Sequence, residues 1–600
     1  PHQVFLKNYM SPNTPYNSIL IFHGVGVGKT CSGVSIAENF KNIFGKIIIL
    51  APEKIQGGWK KNIYDPNKKN NQCTYDEYIQ EENIYEKNKE NIAKKKIKEH
   101  YEMFGYLSFA NSVKRYLEEN TRMIHKNDII SLKRKEIELI KEKYSNRVLI
   151  IDEVHKIRSE DSLIKERDTI LYIEKVIKYS DNLKLILLTA NPMFNQPEEI
   201  TWILNMMLLN DKRAIIKENI NFDEKNNLSK ESEDLIRYYS RGYISYLRGE
   251  NPTTFPYRID ISQIKGEEKN ILKPKRKTIF NTENTTPEMK FMELYSSKLK
   301  GSQLEKYKQE IKFIEGEEKI SDVTYYGKML QICNCIFPVN SDDISDCYGT
   351  EGLRNCFSIK NKKPVKYSFK KNIKNFLDLD ELENYACKIK TIIEKIMNSE
   401  GITFVYSNFL DGGIMPLVLA LEQNGFSKYD KEEVLISKNK RKPISYDGNK
   451  LEEDGFRATY SVIAGSSLKL TNNFEKELNI LNSEENKDGK LIKVVIGSTV
   501  AAEGIDFKNI RNIHLLEPWH NINKLEQVIG RGIRNCSHSM LSEDKFKNVT
   551  TFLHSCDIKD NESIETYMYH SCEDKATQIG NIEKILKEVS IDKYLFRNSN

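Results

Sequence analysis

The chain reads as an α/β protein in which two parallel-sheet units flank a helical insertion. Three observations predict this. From Ser18 to about Asn205, short apolar runs alternate with helical stretches, the pattern of strands joined by crossover helices. A second alternating stretch begins near Glu381. The apolar runs of the first stretch end where polar motifs begin, which is where open parallel sheets carry their ligand sites. The resulting division is 1–210, with a polar insertion at 61–146, then a helical bridge at 211–380, then 381–600.

The first run, Ser18–Phe22 (SILIF), feeds His23–Thr30, HGVGVGKT. A β-rich run leading into a glycine turn that ends in Gly-Lys-Thr is the phosphate-binding loop of a nucleotide-hydrolysing fold. Gly24, Gly26 and Gly28 let the backbone curl so that successive N–H groups face phosphate oxygens. Lys29 can reach the β- and γ-phosphates, and the Thr30 hydroxyl can ligate Mg²⁺. A helix starting near Thr30 adds its positive end. His23 stands where the strict pattern wants Gly, so the loop alone also fits a glycine turn of no function; the motifs downstream remove that rival.

Lys46–Leu50 is the second expected strand. Residues 61–146 are rich in Lys, Glu and Asn and read as a solvated insertion; no aromatic interleaving supports a nucleic-acid contact there. Val148–His155 (VLIIDEVH) is an apolar strand ending in an acidic pair. Asp152 can hold Mg²⁺ through its water shell, and Glu153 can orient and deprotonate the attacking water. His155 is read as a link from this site to the partner domain. Leu185–Pro192 (LILLTANP) ends a further strand, with the Thr189 hydroxyl expected to hydrogen-bond to the acidic pair.

The middle region mixes helical stretches such as Pro287–Lys312 with polar loops. Beyond it, Glu381–Met397 reads as an amphipathic helix, Ile402–Tyr406, Lys493–Ile496 and Asn512–Leu516 as strands, and Ile564–Leu595 as a long helical tail. Gly497–Phe507 (GSTVAAEGIDF) is followed by HLLEPWHN and by Gln527–Arg534 (QVIGRGIR). Arg531 and Arg534 lie three apart, so on a helix they face one way. Two such arginines ordinarily make solvated ion pairs. Behind a flexible Gly-Arg-Gly and opposite a phosphate loop they can act as arginine fingers, an effect worth roughly 10³–10⁵ in rate. That arrangement would assemble the active site between two domains and couple hydrolysis to their closure.

Composition narrows the classes. Lys+Arg 92 against Asp+Glu 86 leaves a net charge of +6, so any nucleic-acid surface must come from local clustering. No apolar run approaches the ~20 residues of a membrane span, and no signal peptide is visible. The sequence opens PHQVF without Met, which is consistent with a fragment that lacks a targeting segment. Ten cysteines without paired spacing fit a reduced, intracellular protein. Cys333, Cys335, Cys347 and Cys356 cluster, but CxC within MLQICNCIF and the lack of a His at ligand spacing favour buried thiols over a metal site.

The ordered set HGVGVGKT, APEKIQGGW, DEVH, TANP, SNF (407–409), STVAAEGID and QVIGRGIR resembles the motifs of superfamily-two helicases and translocases. LLTANPMFNQPEEITWILNMM and Trp519-His520-Asn521 are similar to the Swi/Snf-like branch. GYISYLRGENPTTFPYRI (242–259), EGIDF, QVIGRGIRNCSH and the SIDKYLFRNSN tail resemble helicases of large nucleocytoplasmic DNA viruses, akin to the poxvirus early transcription factor small subunit and nucleoside triphosphatase I. The resemblance implies two RecA-like P-loop domains and a nucleic-acid-stimulated ATPase using ATP and Mg²⁺. It implies action on DNA in viral transcription, with RNA as the alternative substrate and an ATP-switched assembly factor as a third reading. It further implies a viral RNA polymerase or second transcription-factor subunit as partner, no membrane, and a location in the virion and host cytoplasm.

Residue by residue, the resemblance puts Gln3 at the adenine edge. Lys29, Thr30, Asp152 and Glu153 form the hydrolytic set, and Gln527, Arg531 and Arg534 the sensing and finger set. Gly504 and Asp506 couple nucleotide state to the nucleic-acid backbone, with contacts near Pro52, Ser407 and Thr499. Asn191 replaces the usual Thr or Ser of the third motif, a departure that bears on coupling rather than on hydrolysis.

Overall fold

The computed structural model describes residues 2–595 apart from 25–26, 65–72, 75–93, 96, 126, 159–163, 248–253, 285–287, 312–322, 361–364, 431, 454, 465–469, 471–473, 499–504 and 543–545. The chain forms two compact units, one of residues 1–250 with 575–600, the other of 251–574.

The first unit is built on six parallel strands: β1 (Ser18–His23), β2 (Ile47–Leu50), β3 (Tyr101–Phe104), β4 (Val148–Asp152), β5 (Lys184–Thr189) and β6 (Ile244–Leu247), in the order β3-β2-β4-β5-β1-β6. Alternation along β1 sends Ile19 and Ile21 to one apolar cluster and Leu20 and Phe22 to another, so the strand is covered on both faces. That double burial is why the central strands read as unbroken apolar runs. Helices α1 (His2–Tyr9), α2 (Lys29–Glu38) and α3 (Glu53–Ile63) bring Leu6, Val34, Ile36 and Trp59 to the first of these clusters.

Three expectations change here. The stretch 61–146 is not merely a solvated insertion. It supplies the edge strand β3 and the helices α4 (Tyr106–Thr121) and α5 (Ile129–Tyr144), whose Phe109, Val113, Leu117, Leu139 and Ile140 enter the core. Their apolar residues recur at helical spacing but are diluted by Lys and Glu on the solvent side, which masks them in a composition average. Residues 211–250 do not start a separate bridge either, because β6 completes the first sheet beside β1. Finally, the helix Ile564–Val589 places Ile579, Ile582, Ile585 and Leu586 in the first unit's core, so the end of the chain belongs to that unit.

The second unit holds β7 (Tyr257–Ile259), β8 (Leu294–Lys298), β9 (Phe357–Lys360), β10 (Lys366–Phe369), β11 (Ile402–Tyr406), β12 (Ser427–Lys428), β13 (Leu435–Ile436), β14 (Thr459–Ile463), β15 (Val494–Gly497), β16 (Ile510–Leu515) and β17 (Asn548–Asp557). Its main sheet runs β12-β14-β15-β11-β16-β17-β7, and β8 pairs with the far half of the long β17. The helix expected over Pro287–Lys312 is therefore a strand, β8, followed by the helix Gly301–Ile311; pairing with β17 outweighs local helical preference. β9, β10 and β13 make a small separate sheet.

Cys31, one residue past Thr30, is disulfide-bonded to Cys73, a pairing across 42 residues that no spacing rule anticipates. The other eight cysteines are free thiols, and all but Cys536 are buried.

Candidate nucleotide and arginine sites

In the first unit the phosphate loop leaves β1 at His23 and enters α2 at Lys29. Gly28 adopts φ +82°, a conformation that strains any L side chain, and a Cβ there would come within 2.6 Å of Gln3 Nε2. That Gln3 amide, carried by α1, donates to the Gly28 carbonyl at 3.4 Å. The Gly24 N–H donates to Leu247 O of β6 at 2.9 Å; Gly26 lies outside the described residues. No side chain caps α2, so its first N–H groups lie beside Lys29 and Thr30, the arrangement to which anions bind.

Asp152 closes β4 with its side chain almost wholly buried. Its Oδ2 accepts from Trp59 Nε1 at 2.8 Å, and its Oδ1 from the Glu153 N–H at 3.0 Å. Burial pushes the Asp152 carboxyl above its ordinary value, against the pull of Lys29 and of these donors. Glu153 itself sits at φ +51°, a left-handed backbone rare outside glycine and common at functional sites. Lys29 Nζ lies 3.2 Å from Glu153 Oε1. Burial would raise Glu153 too, but the neighbouring Lys29 ammonium outweighs it and holds this carboxyl below its ordinary value.

The acidic pair and the loop are not on adjacent strands, because β5 lies between β1 and β4. β5 ends in Thr189, whose hydroxyl therefore meets the ring of His155, 2.9 Å from Nδ1, rather than the carboxylates themselves. The hydroxyl also accepts from the Asn191 N–H at 3.0 Å. Burial pulls the His155 pKa down to about 4, so the imidazole is neutral and its 3.5 Å approach to Glu153 Oε2 is not an ion pair at neutral pH. The ring stacks on Phe194, with centroids 5.2 Å apart.

Two residues at this site escaped the sequence reading. Trp59, within APEKIQGGW, is read there only as part of a motif. Tyr106, from the stretch taken as insertion, donates its hydroxyl to the Asp152 carbonyl at 2.5 Å. A buried Trp or Tyr needs a partner for its polar tip, but sequence alone does not say which.

In the second unit, helix Ile522–Ile529 carries Gln527 and is N-capped by Asn521, which accepts from the Lys524 N–H at 3.0 Å. Arg531 and Arg534 are not on that helix: it ends before Gly530, and the chain continues in turns. They still converge. Arg534 Nη1 lies 2.6 Å and Arg531 Nη1 3.5 Å from the two carboxylate oxygens of Asp506. Gly504 and Thr499 fall outside the described residues. Ser407 is buried rather than presented outward, and its hydroxyl donates to Glu517 Oε1 at 3.0 Å. Pro52 stands at the start of α3 and is partly exposed.

Cys335, Cys347 and Cys356 are buried and join no ligand cluster among the described residues. Cys333 instead joins Cys556 and Glu565, with ligand atoms within 4.8 Å of one another. The Glu565 carboxylate is already committed to Lys388 and to the Cys556 N–H, so this group reads as core.

An uncapped helix behind a left-handed glycine, a lysine and an acidic pair at parallel strand ends define a P-loop nucleotide-binding fold, here with two RecA-like domains. The family described as "Type III restriction enzyme, res subunit" matches residues 5–194, and "Helicase conserved C-terminal domain" matches 418–536. Among relatives, the chain is 27% identical to "Putative ATP-dependent RNA helicase L377" of Acanthamoeba polyphaga mimivirus, covering 100% of this chain and 55% of that protein. It is 27% identical to "Putative ATP-dependent RNA helicase R563" of the same virus, covering 100% and 89%. To "Nucleoside triphosphatase I" of Heliothis armigera entomopoxvirus it is 24% identical, covering 98% and 78%. The chain thus spans about half the length of the first of these. It carries helicase-family regions at 5–194 and 418–536 and is similar along nearly its whole length to helicase-like proteins of large DNA viruses.

Proposed function

We propose that this chain is an ATP-dependent nucleic-acid motor. The observation that carries the reading is the convergence of Lys29, Asp152 and Glu153 beside the left-handed Gly28 at the carboxyl ends of parallel strands. In this reading Lys29 and the N–H groups of α2 bind the triphosphate, and Gln3 reads the adenine edge. The residues fit Mg²⁺, since Thr30 and Asp152 offer the hard oxygen ligands it prefers and Asp152 is held rigidly by two donors. Mg²⁺ would neutralise phosphate charge, held by Thr30 and Asp152. Glu153, kept ionised by its surroundings, takes the proton of the attacking water. Gln527, Arg531 and Arg534 of the second unit serve turnover, and Gly504 and Asp506 the coupling to nucleic acid.

DNA is favoured as the track, in viral transcription, with a viral RNA polymerase or transcription-factor subunit as partner and the virion and host cytoplasm as location. These rest on the Swi/Snf-like run after Thr189 and on likeness to nucleoside triphosphatase I. Among the described residues no helix is long and apolar enough to cross a membrane. One finding favours a second reading: two relatives are named as RNA helicases. ATP turnover measured with duplex DNA, single-stranded DNA and RNA separates the two, since the preferred track gives the larger stimulation. Glu153→Gln should leave nucleotide affinity intact and abolish turnover; unchanged turnover would reject Glu153 as the base.

A further inference from the structure

We infer that Ser245 and Asp592 are positioning residues for the phosphate loop, acting through His23, so that a segment near the end of the chain latches the loop from behind. The inference rests on reading that loop as the triphosphate site. Both residues lie outside the two regions matched by helicase families.

The latch is a continuous chain of buried polar contacts within the first unit. His23 ends β1 and is fully buried, and its Nε2 lies 2.6 Å from the Ser245 hydroxyl on β6. That hydroxyl lies 2.5 Å from Asp592 Oδ2, and Asp592 Oδ1 accepts the Tyr246 N–H at 3.1 Å. Directly before it, the Ile591 N–H donates to Ile244 O at 2.9 Å, so this stretch of backbone lies along β6. β6 is the outer strand of the sheet beyond β1, and an outer strand that is neither paired nor covered is free to shift.

Chemistry fixes the donor order. An ionised carboxylate only accepts, so Ser245 donates to Asp592, and its oxygen then accepts the proton carried on His23 Nε2. Burial supports this, because it holds the imidazole neutral with its pKa pulled down to about 3. β6 therefore grips the loop at two successive residues. It holds His23 through the Ser245 hydroxyl and Gly24 through the Leu247 carbonyl. The imidazole at His23, where the strict loop pattern has Gly, has this physical role: it is the handle by which β6 and Asp592 set where the phosphate-facing N–H groups point.

The test uses the full chain, with binding of a fluorescent ADP analogue and steady-state ATPase as readouts. Ser245→Ala and Asp592→Ala should each weaken nucleotide binding and raise KM for ATP about tenfold, while kcat at saturating ATP stays within about twofold. Ser245→Thr, which keeps the hydroxyl, should bind like wild type. Ser240→Ala is the control: it deletes a buried hydroxyl of the same unit, bonded to Ile236 O at 2.6 Å, with no link to the loop. Wild-type affinity in Ser245→Ala, or equal weakening in Ser240→Ala, would overturn the latch. A wild-type chain that bound no nucleotide would instead overturn the functional reading beneath it.

Discussion

Trp59→Phe tests how Asp152, the carboxylate proposed to hold Mg²⁺, is supported. The substitution keeps a ring in the apolar cluster of Ile19, Ile21, Val34 and Leu188 but deletes the indole N–H that bonds Asp152 Oδ2 at 2.8 Å. A hydrogen bond to a charged group contributes about 1.5–3 kcal/mol, and about 1.4 kcal/mol corresponds to a factor of ten. Lost wholly from the ionised form of Asp152, this is a weakening of Mg²⁺ binding by roughly 10- to 100-fold. The Glu153 N–H and Lys29 still stabilise the carboxylate, so the lower figure is expected. The sign of the pH effect follows. Burial already raises the Asp152 pKa, and removing a donor to the charged form raises it further. Mg²⁺-supported turnover, which needs the carboxylate, must then fail at a higher pH as the solution is acidified. The assay is ATPase rate against Mg²⁺ at fixed ATP, repeated from pH 8 downward, with thermal melting to gauge the packing loss. An unchanged Mg²⁺ midpoint together with an unchanged acid limb would refute the assignment of Trp59 and, with it, the view that Asp152 needs support.

Asp506→Asn should remove the carboxylate charge that Arg531 and Arg534 share yet cost under about 1 kcal/mol of stability, because the carboxylate is half-exposed and such pairs are solvent-screened. Its effect should appear in nucleic-acid-stimulated kcat, with the melting temperature nearly constant. Lys388→Met should destabilise the second unit by about 3–5 kcal/mol in denaturant melts, since it strands the fully buried Glu565. Lys388→Met with Glu565→Leu should recover much of that loss. His514 and His554 stack within the core, with 2.9 Å between Nδ1 and Nε2, and burial pulls His514 down to about 3 and His554 well below its usual value. An unfolded chain takes up two protons that the folded one refuses. Their contribution is therefore fully present above the ordinary histidine pKa and lost as pH falls below it, by up to about 2.7 kcal/mol per pH unit. Urea midpoints measured between pH 7 and 5 should fall, and His554→Leu should flatten the slope.

The sequence reached furthest where a residue's role depends on its own neighbours along the chain. β1, β2, β4, β5, β11 and β15 were all legible, within a residue or two, because strands covered on both faces need apolar runs; β16 (IRNIHL) was legible too, although polar residues interrupt it. The structure brings Lys29, Asp152 and Glu153 together as their motifs suggest, with Lys29 opening a helix and Asp152 closing a strand. β3 and β6 were not, since YEMF and ISYL carry polar residues and gain strand character only from β2 and β1 beside them. The short helix-to-turn change at Gly530 was missed for the opposite reason: Arg531 and Arg534 at i and i+3 suit a helix, and Gly530 and Gly532 break it. The Cys31–Cys73 pair and the Ser407–Glu517 bond join residues far apart in the chain, and no local pattern encodes either.

The residues that escaped share a position in the structure. Trp59 lies against the Asp152 carboxylate, Tyr106 against its backbone carbonyl, and Ser245 against the first residue of the phosphate loop. Each holds a motif residue from behind and comes from a different segment of the first unit. A flexible glycine loop and a strand-end carboxylate can take many orientations, and binding favours the arrangement in which these freedoms are already spent. Short motifs therefore specify the chemistry of the first unit, and the long intervals between them specify its geometry. Substitutions at the supports should alter nucleotide or Mg²⁺ affinity while sparing the chemical step, whereas those at Glu153 should do the reverse.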